Sequence, residues 1–201
     1  MPRDPHALPH PPEGPPARLP PLGVQPPVES WRIHREEDPL RPRRYASGRF
    51  RFDAPNGEFP VTYVNLDRYA CYAEVFGDSQ EIPPLAASRR RSRIRPRRDL
   101  RLVALDQAAV QKAFGLDLNI CASRDYERTQ AWSRAWHAWY SDADGIRYVG
   151  RHAVEKHNLC LFLDRCGADL EMVFEGHLED LRHDGLVAAH KYSLAPRLFL
   201  P

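Results

Sequence analysis

The sequence predicts an α+β domain, with mixed central sheets and flanking helices, preceded by a proline-rich extension. Three observations lead there. Short segments of alternating polarity are mixed irregularly with helical patterns, without the regular βαβ rhythm of a doubly wound fold. The segment Asp125–Tyr140 places Trp132, Ala135, Trp136, Trp139 and Tyr140 at helical spacing, the apolar stripe of a packed helix. Finally, the chain of 201 residues changes character after residue 30, by which point eleven of its 20 prolines have occurred.

Residues 1–30 hold few aliphatic side chains, too few to offset the entropy of ordering, so they are expected to form an extended or disordered tail. The tail lacks the apolar centre of a signal peptide. Residues 31–201, roughly 170 in all, suit a single domain with a sizeable core. No apolar run approaches the length of about 18 residues that spans a membrane. The four cysteines, Cys71, Cys121, Cys160 and Cys166, form no CxxC pair and are expected to be free thiols in a reducing cytoplasm.

Along the domain, the alternation of Trp31, Ile33 and Arg35 predicts a short strand. A loop from Arg43 leads to an extended piece ending at Phe52, with Phe50 and Phe52 on one face and Arg49 and Arg51 on the other. Asp53–Gly57 reads as a turn and Val61–Val64 as a strand. Asn65 or Asp67 can cap a helix that runs to Phe76 and stops at Gly77. Tyr69, Tyr72, Ala73 and Phe76 form its packing face, with Glu74 beside them. Asp99–Leu105 reads as a strand and Gln107–Phe114 as a helix; further strands follow the long helix at Ile146–Val149, Asn158–Leu163 and Leu170–Phe174.

Formal net charge is only +2, which argues against a polyanion binder working over its whole surface. Seven arginines without an acid fall between Arg89 and Arg98. They could grip phosphates, but no aromatic residues interleave them to stack bases, so a solvated helix end and edge strand is the favoured reading and direct nucleic-acid binding is not expected. His152, His157 and Cys160 fit no zinc spacing, and no metal is expected. Neither a Rossmann fingerprint nor a Ser-centred elbow is present.

One combination suits a dinucleotide. Ser47-Gly48-Arg49-Phe50, the strand holding Tyr63 and the helix holding Glu74 place an arginine, a tyrosine and a glutamate on successive elements. An arginine can fork onto a pyrophosphate, a tyrosine can stack on a flat ring, and a carboxylate can stabilise a ribosyl cation. The plainer alternatives stay open: Tyr63 as a core residue, Arg35, Arg49 and Arg151 as structural ion-pair partners, and Glu74 paired with Arg68 on a solvated face.

Several blocks in register resemble the RES-domain family. They are Trp31-Arg32-Ile33-His34-Arg35, Gly48-Arg49-Phe50, Tyr63 with Glu74, Thr129-Gln130-Ala131-Trp132, Asp144-Gly145-Ile146-Arg147-Tyr148, Arg151-His152 and Leu161-Phe162-Leu163-Asp164-Arg165. The resemblance implies a compact single domain like the ADP-ribosyltransferases that acts on NAD+ by phosphorolysis, hydrolysis or ADP-ribosyl transfer, with inorganic phosphate as one candidate co-substrate. It also implies the toxin half of a toxin–antitoxin pair, with an Xre-type helix-turn-helix antitoxin as partner and a homodimer as a further option. Carried across, Glu74 is the central acid, Tyr63 the aromatic beside the nicotinamide ribose, and Arg35 and Arg49 the cations facing the phosphates. Arg151 is a candidate for the acceptor. The family is named for an Arg, a Glu and a Ser, and the serine's place, between Tyr-x and Arg-His, is taken here by Gly150. Restoring a serine there is expected to raise activity if the hydroxyl assists. The competing reading is a catalytically impaired module that binds a protein partner.

Overall fold

The computed structural model describes residues 8–35, 40 and 49–200; Ser47, Gly48 and the start of the loop at Arg43 lie outside the described residues. Eight strands form one mixed sheet: β1 (Gly23–Gln25), β2 (Ser30–His34), β3 (Val61–Asn65), β4 (Arg90–Pro96), β5 (Leu100–Ala104), β6 (Gly145–Val149), β7 (His157–Phe162) and β8 (Leu170–His177). Their order is β1-β5-β6-β7-β3-β2-β4-β8, with only the β5–β6 pair parallel. Six α-helices flank it: α1 (Ala70–Phe76), α2 (Ala108–Phe114), α3 (Asn119–Ala122), α4 (Tyr126–Trp139), α5 (Leu163–Cys166) and α6 (Arg182–Lys191). The α+β class expected from the sequence is the class observed. Among the described residues no helix is long and apolar enough to cross a membrane.

The two-residue repeat of a strand sorts the core. On β7, Cys160 and Phe162 join the cluster under α4, whereas Leu159 and Leu161 join Val64, Ile94 and Leu102 on the opposite face. The stripe of α4 does what its spacing implies: Trp132 and Trp136 are fully buried, and Phe114 packs against both rings. Asp125 begins this helix by accepting the Arg128 amide. At the start of α1, Asp67 Oδ1 accepts the amides of Tyr69 and Ala70, so of the two proposed capping residues it is Asp67 that acts there. All four cysteines are buried free thiols.

Three expectations are corrected. Residues 8–30 are not a detached tail. Leu8 is buried in the α4 cluster, and β1 extends the sheet along β5. Arg128, Trp132 and Tyr140 donate to the carbonyls of Leu8, Pro9 and Pro20 at 2.6, 2.8 and 2.7 Å. A proline-rich strand has few donors of its own but keeps every carbonyl, and its fixed φ limits the entropy lost on docking.

Secondly, the arginine run is not an edge. Strand β4 lies between β2 and β8, and Arg91 is 3% exposed, held by Glu175 at 2.6 Å and Asp184 at 2.7 Å. Arg93, Arg97 and Arg98 pair with Glu29, Glu171, and Asp144 with Asp169, respectively. Thirdly, Phe50 and Phe52 do not share a strand face. Asp53 closes a turn on the Arg49 and Phe50 amides, which buries Phe52 and leaves Phe50 half exposed.

The Arg91–Asp184 pair ties β4 to α6. Burial alone would raise the Asp184 carboxyl, but hydrogen bonds from Arg91 and Arg68 outweigh it and hold the group below its ordinary value. Its contribution to stability is therefore complete above the unfolded carboxylate pKa of about 4 and fades as pH falls through the lower folded value. Asp184→Asn leaves Arg91 buried without that counter-charge and is expected to cost about 3–5 kcal/mol in urea unfolding at neutral pH. The arm gives a second expectation. Removing residues 1–22 strips three donors of their acceptors and should lower the thermal midpoint by at least about 5 °C, as scanning calorimetry would read.

Candidate functional site

Strands β2 and β3 share one paired position, Trp31 with Asn65, although each is paired along its whole length on its other side. Beyond that position the carbonyl of Tyr63 has no strand partner on the β2 side, and the Arg32 guanidinium donates to it at 3.0 Å. Tyr63 is half buried. Its hydroxyl donates to Asp53 Oδ1 and accepts the Phe52 amide, both at 2.9 Å. The Phe50 ring meets Tyr63 edge-on at 5.9 Å, and the Arg49 guanidinium lies 5.5 Å from the Phe50 centroid. The turn carrying Phe50 and Phe52 is fastened to α4, where Gln130 and Ser133 donate to their carbonyls.

Burial raises the Asp53 carboxyl, partly offset by the hydrogen bonds from Phe50, Tyr63 and Arg49 and by the charge of Arg32. Burial, then the nearby Cys160 and Asp53, push the Tyr63 phenol well above its ordinary value. Tyr63 is therefore a neutral donor at physiological pH, never a phenolate.

Glu74 projects from α1 beside a face that buries Cys71, Tyr72, Ala73 and Phe76. Its Oε1 accepts the His152 amide at 3.0 Å. The Arg68 that the sequence offered as its partner pairs instead with Asp184. Gly150 lies against the same carboxylate: a Cβ built there would stand 2.8 Å from Glu74 Oε1 and 2.7 Å from the Ala153 carbonyl oxygen. The space that a serine side chain would need is already taken.

Tyr148 joins the two clusters. Its ring packs 5.0 Å from that of Phe52, and its hydroxyl is raised by burial and then by the charge of Glu74. Tyr63 in turn feels Tyr148. Tyr148 also heads a row across the sheet, opposite Asn158, which stands opposite Asn65. Asn65 Nδ2 donates to Asn158 Oδ1, while the buried Asn158 Nδ2 finds no partner among the described residues.

Glu74 and Gly150 thus meet directly, while Tyr63 is related to them only through Tyr148, with Arg49 reaching Tyr63 by way of Phe50. Arg151 follows Gly150 directly in the chain and precedes His152, with its guanidinium 3.3 Å from Asp78. Arg35 is exposed immediately after β2. The metal-spaced residues separate: His152 faces Asp78, His157 faces Asp106, and Cys160 is buried in the core. Sequence reading missed Arg32, Asp53, Tyr148 and His152 as members of the site. Tyr148 and His152 lay inside blocks already singled out; nothing in the sequence announces that β2 and β3 part where Arg32 stands.

Residues 29–183 match the family model described as the RES domain. No curated protein sequence matches the chain. In structure, a chain of the M. tuberculosis MbcT–MbcA toxin–antitoxin complex aligns with a TM-score of 0.53 at 20% identity, over 77% of this chain and 87% of that one. A likeness at that identity speaks for the fold.

The geometry at Gly150 reverses the expected gain from serine. Gly150→Ser forces the Ala153 carbonyl or the Glu74 carboxylate to move, and overpacking of this kind costs about 1–3 kcal/mol. The expected result is a lower denaturation midpoint without improved turnover. A serine variant as stable as the parent would show that the loop yields freely.

Proposed function

The chain belongs to the RES-domain family, and from that membership we propose that it consumes NAD+ by cleaving the bond between nicotinamide and ribose. The observation that carries the reading is the seating of Glu74: a carboxylate fixed by the backbone amide of His152 and close enough to the buried Tyr148 to raise its hydroxyl.

Nicotinamide leaves as a neutral molecule, so the step needs little acid assistance. What needs stabilising is the positive charge that grows on the ribose. A carboxylate already held in place meets that charge without reorganising, which is where electrostatic catalysis gains most. Glu74 takes this role. Tyr63 and Phe50 offer a flat aromatic corner for a ring, and the hydroxyl of Tyr63, locked to Asp53, keeps that corner rigid. Arg49 and Arg35 supply cations for the two phosphates, with Arg32 a further one at the fork. Gly150 and Arg151 border the carboxylate on the side from which an acceptor would approach, whether phosphate, water or a protein side chain.

A toxin role, held in check by an antitoxin of the Xre helix-turn-helix type, belongs to the same proposal and is supported by the fold shared with a chain of a toxin–antitoxin complex. Gly150 favours one second reading, a module that keeps the fold and the partner but has lost turnover.

Nicotinamide release from NAD+ by the purified protein, followed by chromatography with and without inorganic phosphate, separates the two. Glu74→Gln keeps the size of the side chain and removes its charge; turnover is expected to fall by at least about 100-fold with the fold intact by circular dichroism. Unchanged release from the glutamine variant would overturn the role of Glu74, and intact NAD+ with the parent protein would leave the partner-binding module.

A further inference from the structure

Two guanidiniums and an imidazole converge on a single oxygen beside Glu74. Asp78 Oδ1 lies 2.9 Å from Arg124 Nη2, 3.3 Å from Arg151 Nη2 and 3.3 Å from His152 Nε2. They come from separate segments: Asp78 from the turn after α1, Arg124 from the connection between α3 and α4, Arg151 and His152 from the loop between β6 and β7. A third guanidinium, Arg51, is fastened nearby by its bond to the Ser123 carbonyl. We infer that this cluster is an anion-binding subsite for a phosphoryl group, in which the Asp78 carboxylate is a resident and displaceable occupant.

Charge and exposure point the same way. Two guanidiniums face one carboxylate, so the cluster holds an excess of positive charge from its arginines alone. Asp78 is 61% exposed and Arg124 70% exposed, while Arg151 and His152 are 20% and 23% exposed. An ion pair so open to water contributes little to stability, so releasing Asp78 costs little. A phosphate offers more acceptor oxygens and more charge than the carboxylate it would replace, and arginine is built to meet it with two parallel bonds. The opposing negative charge is Glu74, which is engaged by the His152 amide.

The same His152 that reaches Asp78 through its ring reaches Glu74 through its backbone, which places the subsite against the carboxylate. What the bound anion does there, as the pyrophosphate of a dinucleotide or as a free phosphate, rests on the NAD+ reading; that the site binds an anion does not.

Calorimetric titration of inorganic phosphate, and separately of ADP-ribose, into the parent protein, Asp78→Ala and Arg124→Ala tests it. Loss of the resident carboxylate should tighten binding of at least one of the two about tenfold, and loss of Arg124 should weaken it by about as much. Tightening for ADP-ribose alone identifies a pyrophosphate subsite, and tightening for phosphate alone an acceptor subsite. Should Asp78→Ala fail to fold, Asp78→Asn removes the charge with the shape kept and carries the same expectation. Binding of both probes that is no tighter in either folded Asp78 variant overturns the inference. If NAD+ is not consumed yet the tightening is seen, the subsite stands and the NAD+ reading falls.

Discussion

The architecture of the site follows from one incomplete strand pairing. Five strands on one side of the sheet and three on the other meet where Trp31 faces Asn65, and there only. Had β2 and β3 zipped further, the carbonyl of Tyr63 would sit in a ladder and the surface beside it would be closed. Instead the carbonyl takes its hydrogen bond from Arg32. A buried carbonyl must be satisfied by something; satisfying it with a side chain leaves the strands apart. Tyr63, Asp53 and the half-exposed Phe50 cluster beside this gap in the pairing, and Tyr148 stands between Tyr63 and Glu74.

Arginine serves two opposite ends in this protein. On β4, Arg91 is buried and met by two carboxylates, so its charge is neutralised within the fold and it fastens a strand to a helix. Around Asp78 the balance is inverted, with two guanidiniums and an imidazole meeting one exposed carboxylate. Burial makes the first arrangement rigid and expensive to break, whereas solvent makes the second easy to exchange. Counting arginines along the sequence points to β4; counting their counter-charges in space points away from it.

Much of this was legible in the sequence, for definite reasons. The two-residue repeat of Trp31 and Ile33 located a strand, and the tryptophan spacing located α4, because in each case a buried face leaves a period in the chain. Tyr63 and Glu74 drew notice as residue types suited to one chemistry; in space each interacts with Tyr148, which the sequence did not single out for that role. What escaped notice was set by partners distant in sequence. The proline-rich arm has too little apolar surface to fold alone, yet Trp132 and Tyr140 need acceptors that it supplies. The position of β4 inside the sheet depends on β8, some eighty residues later, whose Glu175 meets Arg91. No local pattern carries such information.

Glycine at two positions makes the last connection. A Cβ at Gly77 would fall 2.3 Å from Cγ of His152, and one at Gly150 would fall 2.8 Å from Glu74 Oε1. The end of α1 and the loop after β6 therefore interlock through two absent side chains: the helix makes room for the ring of His152, and the loop makes room for the carboxylate of Glu74. With both spaces filled, the amide of His152 is carried to Oε1 and Glu74 has little freedom to turn away. A hydroxyl at position 150 would add a donor at the expense of this fit. Glycine gives up the donor and keeps the carboxylate in place, which is the preorganisation that the proposed role of Glu74 requires.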